Sequence, residues 1–280
     1  MTHQESDLQG VYKPLDCHSP TSKRDAILRS SAYWIGFFIC LFLTQVLISS
    51  LGASSTNGHD TRAQWYGGVL MTTLSLALTR VCAQMDKGCV VKTGTTLVSG
   101  SVPRAALGLV SVLLLAALSI VSLGWLVPDI RFVRADTSIL PVLSAAGLFL
   151  VLAAFEEIGF RGYPMRRLLQ SFGVWPALLL VAPVFVSYHV FLGWNPLLAL
   201  IGTGTGSLLF GMAAVAARQG LAFPIGVHAG WNFTSWALGL QGRHLEDDIS
   251  VRSDRASSVG WNVRLCHVYA LRDDAALVLE

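Results

Sequence analysis

Six stretches of the chain, 33–51, 105–127, 139–155, 174–191, 197–217 and 221–240, stay apolar for about the 20 residues that a helix needs to cross a bilayer. A weaker run at 67–84, diluted by Thr72, Thr73, Ser75 and Arg80, counts as a seventh. The pattern predicts an all-α fold, a polytopic transmembrane helical bundle of about seven spans. Polar residues flank it at both ends, which divides the chain into a polar N-terminal segment (1–32), N-terminal transmembrane helices (33–138), a helical core (139–240) and a polar tail (241–280). The tail offers too few apolar positions in any regular period to build a core of its own, so a loose or small appendage is expected there.

Composition agrees with the pattern: 53% hydrophobic residues, 13% charged and a mean hydropathy of +0.56 exclude an ordinary soluble domain. The net charge of +3 is spread between the apolar runs and forms no basic patch, so no nucleic-acid partner is expected; the partners are membrane lipids and a substrate that lipid presents. Lys and Arg recur in alternate loops: Lys13, Lys23, Arg24 and Arg29; Lys87, Lys92 and Arg104; Arg161, Arg166 and Arg167; Arg218. By the positive-inside rule those loops and the N-terminus face the cytoplasm. With seven spans, the C-terminus then faces outward. The first apolar run starts too late for a cleaved signal peptide and reads as a retained anchor. Five cysteines without a C-x-x-C pair suggest neither a disulfide framework nor a thiolate metal site. Within the apolar run 197–217, Gly202 and Gly206 form a small-xxx-small pair, an expected helix-packing surface. Pro183 and Pro224 are expected to kink their spans.

Against this background a few polar side chains are out of place. Glu156 and Glu157 follow directly on the run 139–155, and an unpaired carboxylate there is costly. Glu157 and Arg161 are four apart and share a helix face, whereas Glu156 is rotated about 100° away. One acid is therefore expected to be held by the arginine and the other left free to react. His189, and His228 with Asn232 four residues later, stand inside later spans. Sixteen positions separate Glu156 from Phe172, and sixteen separate Gly173 from His189, so a helical hairpin turning at Phe172 and Gly173 sets Glu156 level with His189. Two arrangements satisfy this register. Either the fourth helix continues through the acids within the membrane, or residues 160–171 lie along the interface with Arg161, Arg166 and Arg167 on the wet side. Both place the acids beside a water-accessible cavity.

Glu with His can hold and deprotonate a water, and a second His with Asn can donate hydrogen bonds to an oxyanion. The set Glu156, His189 and His228 could equally ligate a divalent metal, although no H-E-x-x-H motif is present.

At these residues the chain resembles the CPBP family of CAAX-processing and bacteriocin-processing intramembrane proteases, also called the Abi family. Its pattern, Glu-Glu-x-x-x-Arg, Phe-x-x-x-His and His-x-x-x-Asn, reads here as Glu156, Glu157 and Arg161, then Phe185 and His189, then His228 and Asn232. The likeness extends over 139–240 and includes the Gly211 region and the Phe223-Pro224-Ile225 approach to His228. The resemblance implies an intramembrane endopeptidase in which Glu156 activates water with His189, His228 and Asn232 support the oxyanion, and Glu157 with Arg161 orients the site. It implies no obligatory cofactor and leaves a divalent metal open. The implied substrate is a peptide or membrane protein, in the inner membrane of a bacterium. Two other classes fit the same residues: a non-catalytic scaffold or immunity protein that keeps the fold, and a proton-coupled transporter, which the lack of paired repeats disfavours.

Overall fold

In lipid every backbone N–H and C=O must be satisfied within the chain, so each long apolar run folds as a helix. The structure, a computed structural model, describes residues 22–52, 61–86, 93–97, 99–126, 130–134, 138–217, 220–238, 266–272 and 275–279. Its helices are α1 (Lys23–Ser50), α2 (Thr61–Met85), α3 (Ser101–Leu126), α4 (Ile139–Glu156), α5 (Tyr163–Phe172), α6 (Val174–Phe191), α7 (Gly204–Ala216) and α8 (Ala222–Ala237). Among the described residues, six segments are long and apolar enough to cross a membrane: α1, α2, most of α3, α4 with α5 as one stretch to Phe172, α6, and Pro196–Ala216, which contains α7. The chain is an all-α polytopic bundle and an integral membrane protein. The weaker run 67–84 is thus among the six, as α2, whereas the run 221–240, expected as a clear span, forms α8, which has 16 residues and is about 24 Å long, shorter than a typical span.

Several boundaries differ from the apolar pattern for local reasons. Helix α1 begins at Lys23 rather than Tyr33, because the Ser22 side chain caps it by accepting from the Asp25 amide and Arg29 pairs with Asp25 one turn on. Pro224 lies in the first turn of α8, where a missing N–H costs nothing, and so does not break the helix; Pro183 is inside α6. A short strand, β1 (Ile130–Arg134), pairs antiparallel with β2 (Cys266–Arg272), which pairs with β3 (Ala275–Leu279). The end of the tail thus takes its order from backbone pairing with the α3–α4 connection, which needs no core of its own. The polar stretch before Ser22, the residues Lys13, Lys87, Lys92 and Arg218, and the acidic and serine-rich part of the tail lie outside the described residues.

Helix α8 packs against α3, α4 and α7. It approaches α3 closely because Gly226 and Gly108 have no side chains: a Cβ on Gly226 would run into the Ala105 carbonyl oxygen, and one on Gly108 into the Phe223 carbonyl oxygen. The expected packing pair Gly202 and Gly206 does not serve this purpose. A Cβ on Gly202 would meet nothing within 4 Å, because Ala199–Thr203 forms a π-helical turn that directs Ala199 and Thr203 inward and leaves Gly202 outside.

Helix α5 continues the line of α4 alongside α1. Contacts run antiparallel along α1: Lys23 over the Phe172 ring, Asp25 near Arg167, Ser30 to the Pro164 carbonyl, Tyr33 stacked on Tyr163, and Phe37 against Phe155 and Phe160. Of the two arrangements left open by the sequence, the one with residues 160–171 lying along an interface is therefore not adopted. Arg161, Arg166 and Arg167 are not on a wet face; they are 0%, 5% and 4% exposed. Arg167 reaches Asp86 at 2.8 Å, and Asp86 also accepts from Arg29, so charges from α1, the end of α2 and α5 neutralise one another. The Leu221 amide bonds the Gly94 carbonyl, which brings the start of α8 to the α2–α3 connection. The start of α1, the end of α2, α5 and the start of α8 thus meet at one end of the bundle.

Candidate active site

The acidic stretch lies deep in the bundle. Phe37, which flanks it through Phe155 and Phe160, is the midpoint of α1, about 21 Å from the helix start. Glu156 ends α4, and Glu157–Arg161 forms a π-helical turn. The turn closes at Gly162, where Pro164 in the first turn of α5 has no N–H to continue the ladder. Wider turns of this kind recur at functional sites, and here it turns two neighbouring carboxylates into different surroundings.

Glu157 is fully buried. Its Oε1 accepts from Arg161 Nη1 at 3.2 Å and from His228 Nδ1 at 2.8 Å. Arg161, equally buried, donates through Nη2 to the Ser207 carbonyl and hydroxyl at 3.3 and 3.2 Å and lies 4.3 Å over the Phe185 ring. The arginine therefore serves one acid, the one four residues before it.

Glu156 is 7% exposed. Its Oε1 accepts from the Tyr188 hydroxyl at 3.3 Å, and its Oε2 accepts no hydrogen bond among the described residues while lying 3.5 Å from His228 Nε2. His228 thus stands between the two acids. A carboxylate held by an arginine only accepts, so His228 Nδ1 carries the hydrogen given to Glu157. The opposite nitrogen and Glu156 Oε2, 3.5 Å apart, would otherwise be two acceptors face to face, an arrangement that calls for a shared proton. Phe210 stacks on the His228 ring at 4.0 Å and closes its other side. Gly226 and Gly230 lie on the face of α8 turned to α3, which leaves His228 on the face turned to the acids.

His189 occupies the last turn of α6, 9% exposed, with its ring against Phe185, Tyr188 and Trp194. Its Nδ1 bonds the Phe185 carbonyl at 2.9 Å, so Nδ1 carries the hydrogen and Nε2 is left as the basic nitrogen. The hairpin register predicted from equal arms turns at Gly173, whose φ of +80° suits glycine, and the hydroxyl it delivers to Glu156 belongs to Tyr188, one position before His189. Asn232 is half-buried one turn beyond His228 and makes no hydrogen bond to a described residue. The structure therefore brings Glu156, Glu157, Arg161 and His228 into one polar network and leaves Asn232 beside it.

Three contributors were not singled out in the sequence. Tyr188 was hidden by its neighbour His189, and Phe210 by the apolar run around it. Ser207 was readable as a hydroxyl on the same face as Thr203, four positions earlier, and Phe210, three positions later. Among the described residues no group of three His, Cys, Asp or Glu side chains is placed to hold an ion, and the Arg161 guanidinium already neutralises Glu157.

Residues 138–234 match a family described as Rce1-like, type II CAAX prenyl endopeptidase. No curated protein and no solved structure matches the chain. The matched segment starts at the N-cap of α4 and ends within α8, so it contains every residue of the network just described, and the match is to the CAAX-protease family that the three motifs resemble. It supports intramembrane endopeptidase activity on membrane-associated substrates.

Proposed function

We propose that this chain, whose residues 138–234 match the Rce1-like endopeptidases, hydrolyses a peptide bond of a membrane-associated protein or peptide with water activated by Glu156. The observation that carries the reading is the unequal treatment of two adjacent carboxylates. Glu157 is tied through Oε1 to the Arg161 guanidinium and to His228 Nδ1, whereas Glu156 takes one bond from a neutral hydroxyl and turns an oxygen without a donor toward His228 Nε2; Oε2 of Glu157 also has no donor among the described residues, but it belongs to the acid whose charge Arg161 already balances. A free carboxylate oxygen beside an oriented imidazole is the geometry of a general base paired with a proton carrier, the carrier being aligned by a third group.

In this mechanism a water held by Glu156 gives its proton to the carboxylate as its oxygen attacks the peptide carbonyl. The proton then passes to the departing amine, through His228 or His189, whose basic Nε2 is oriented by the Phe185 carbonyl. Asn232, with its amide uncommitted, donates to the oxyanion. Glu157 and Arg161 hold His228 in register. Burial of the network inside the bundle excludes competing water and strengthens each of these interactions. We place the N-terminus on the cytoplasmic side of the membrane from the distribution of Lys and Arg, and take the membrane as a bacterial inner membrane from the family resemblance.

The test is cleavage of a prenylated, fluorophore-labelled C-terminal peptide, and of a panel of transmembrane peptides, by the purified chain in lipid nanodiscs. Glu156→Ala and His189→Ala should insert normally and lose cleavage. Full activity in both would reject the mechanism, and a cellular phenotype that survives Glu156→Ala would favour a non-catalytic scaffold.

A further inference from the structure

We propose that Tyr188 is a positioning residue for Glu156, doing for the reactive acid what Arg161 does for Glu157. This rests on the reading of Glu156 as the water-activating group. Its hydroxyl donates to Glu156 Oε1 at 3.3 Å, and among the described residues it is the hydrogen-bond donor to that carboxylate. Occupying Oε1 fixes the rotation of the carboxylate and turns Oε2 toward His228 Nε2, 3.5 Å away. A carboxylate without such a donor could turn about its Cγ–Cδ bond until neither oxygen faces the imidazole, and the attacking water would have no fixed acceptor.

The tyrosine is itself immobilised. It is 3% exposed, and its ring meets Phe37 at 6.2 Å, Phe155 at 6.1 Å and Phe160 at 5.5 Å. These partners come from α1, α4 and the π turn, so the hydroxyl is referenced to the elements that carry Glu156. An apolar cage is also an expensive place for a hydroxyl that served packing alone, since a phenylalanine would fill it without a polar group to satisfy. Residue 188 is an unspecified position of the Phe-x-x-x-His motif, which makes this donor a feature of this chain rather than of the motif.

The experiment compares Tyr188→Phe, which keeps the ring, with Tyr188→Leu and Glu156→Gln, all as the full chain in nanodiscs. With the peptide that the wild type cleaves, Tyr188→Phe should lower kcat by about 10- to 100-fold with KM unchanged, the factor carried by one hydrogen bond to a charged group. A readout that needs no substrate accompanies it. In infrared difference spectra of chain labelled with carbon-13 glutamate, referenced to Glu156→Gln, the Glu156 carboxyl band should shift in Tyr188→Phe while thermal stability stays at the wild-type level. An unmoved band with an unchanged kcat overturns the proposal, as does a loss of stability in Tyr188→Phe equal to that in Tyr188→Leu. If Glu156→Gln cleaves at the wild-type rate, it is the functional reading that fails, and the infrared band still decides whether Tyr188 holds Glu156.

Discussion

His228 donates to Glu157 across 2.8 Å, linking residues 71 positions apart on α8 and on the π turn after α4. Through this bond Glu157 fixes the imidazole that faces Glu156, the acid proposed to activate water. The roles of the two glutamates are thereby separable by experiment.

Glu157→Ala removes the acceptor of both Arg161 and His228 and leaves a buried guanidinium uncompensated. It should cost about 3 to 5 kcal/mol of stability in addition to activity. Asn232→Ala should behave differently, because its amide serves no described partner: kcat falls about 100-fold, as for a lost oxyanion donor, with stability unchanged. Thermal midpoints in detergent alongside cleavage rates separate the two.

Asp86 neutralises Arg167 on α5 and also binds Arg29 on α1, with its side chain fully buried. Asp86→Ala should destabilise the chain by about 3 to 5 kcal/mol, whereas replacing both Asp86 and Arg167 with leucine should cost much less. A double-mutant cycle on thermal unfolding measures this coupling; additive effects would mean that the ion pair contributes nothing specific.

Helix α8 can carry His228 to the acids because Gly226 admits the backbone of α3. Gly226→Ala forces the helices apart against the Ala105 carbonyl and should cost about 1 to 3 kcal/mol. Activity should fall further than stability does, since the Glu156 to His228 spacing opens. Gly202→Ala, on an open surface, is the matched control and should be silent in both measurements.

Much of this was legible in the sequence where the signal is local. The apolar runs mark the helices, and the four-residue spacing of Glu157 and Arg161 gives their ion pair directly. What the sequence hid depends on partners far along the chain. Arg166 and Arg167 look interfacial until α1 and α2 bring Asp25 and Asp86 beside α5. His228 and Asn232 share a helix face by spacing, yet His228 is drawn to Glu157 while Asn232 stays outside the network. The small-xxx-small pair at Gly202 matched a packing pattern, but the π turn rotated it outward and the close contact fell to Gly226 and Gly108. Tyr188 was invisible because nothing local distinguishes a hydroxyl aimed at a carboxylate from an aromatic packed in a core.

The most direct measurement of the central claim is quantitative mass spectrometry of membrane-derived peptides from cells carrying either the wild-type chain or Glu156→Gln at equal, verified levels of insertion. The account predicts a discrete set of cleavage products that appear with the wild type, vanish with Glu156→Gln and are unaffected by a metal chelator in washed membranes. The same products at the same rates from both chains would contradict it.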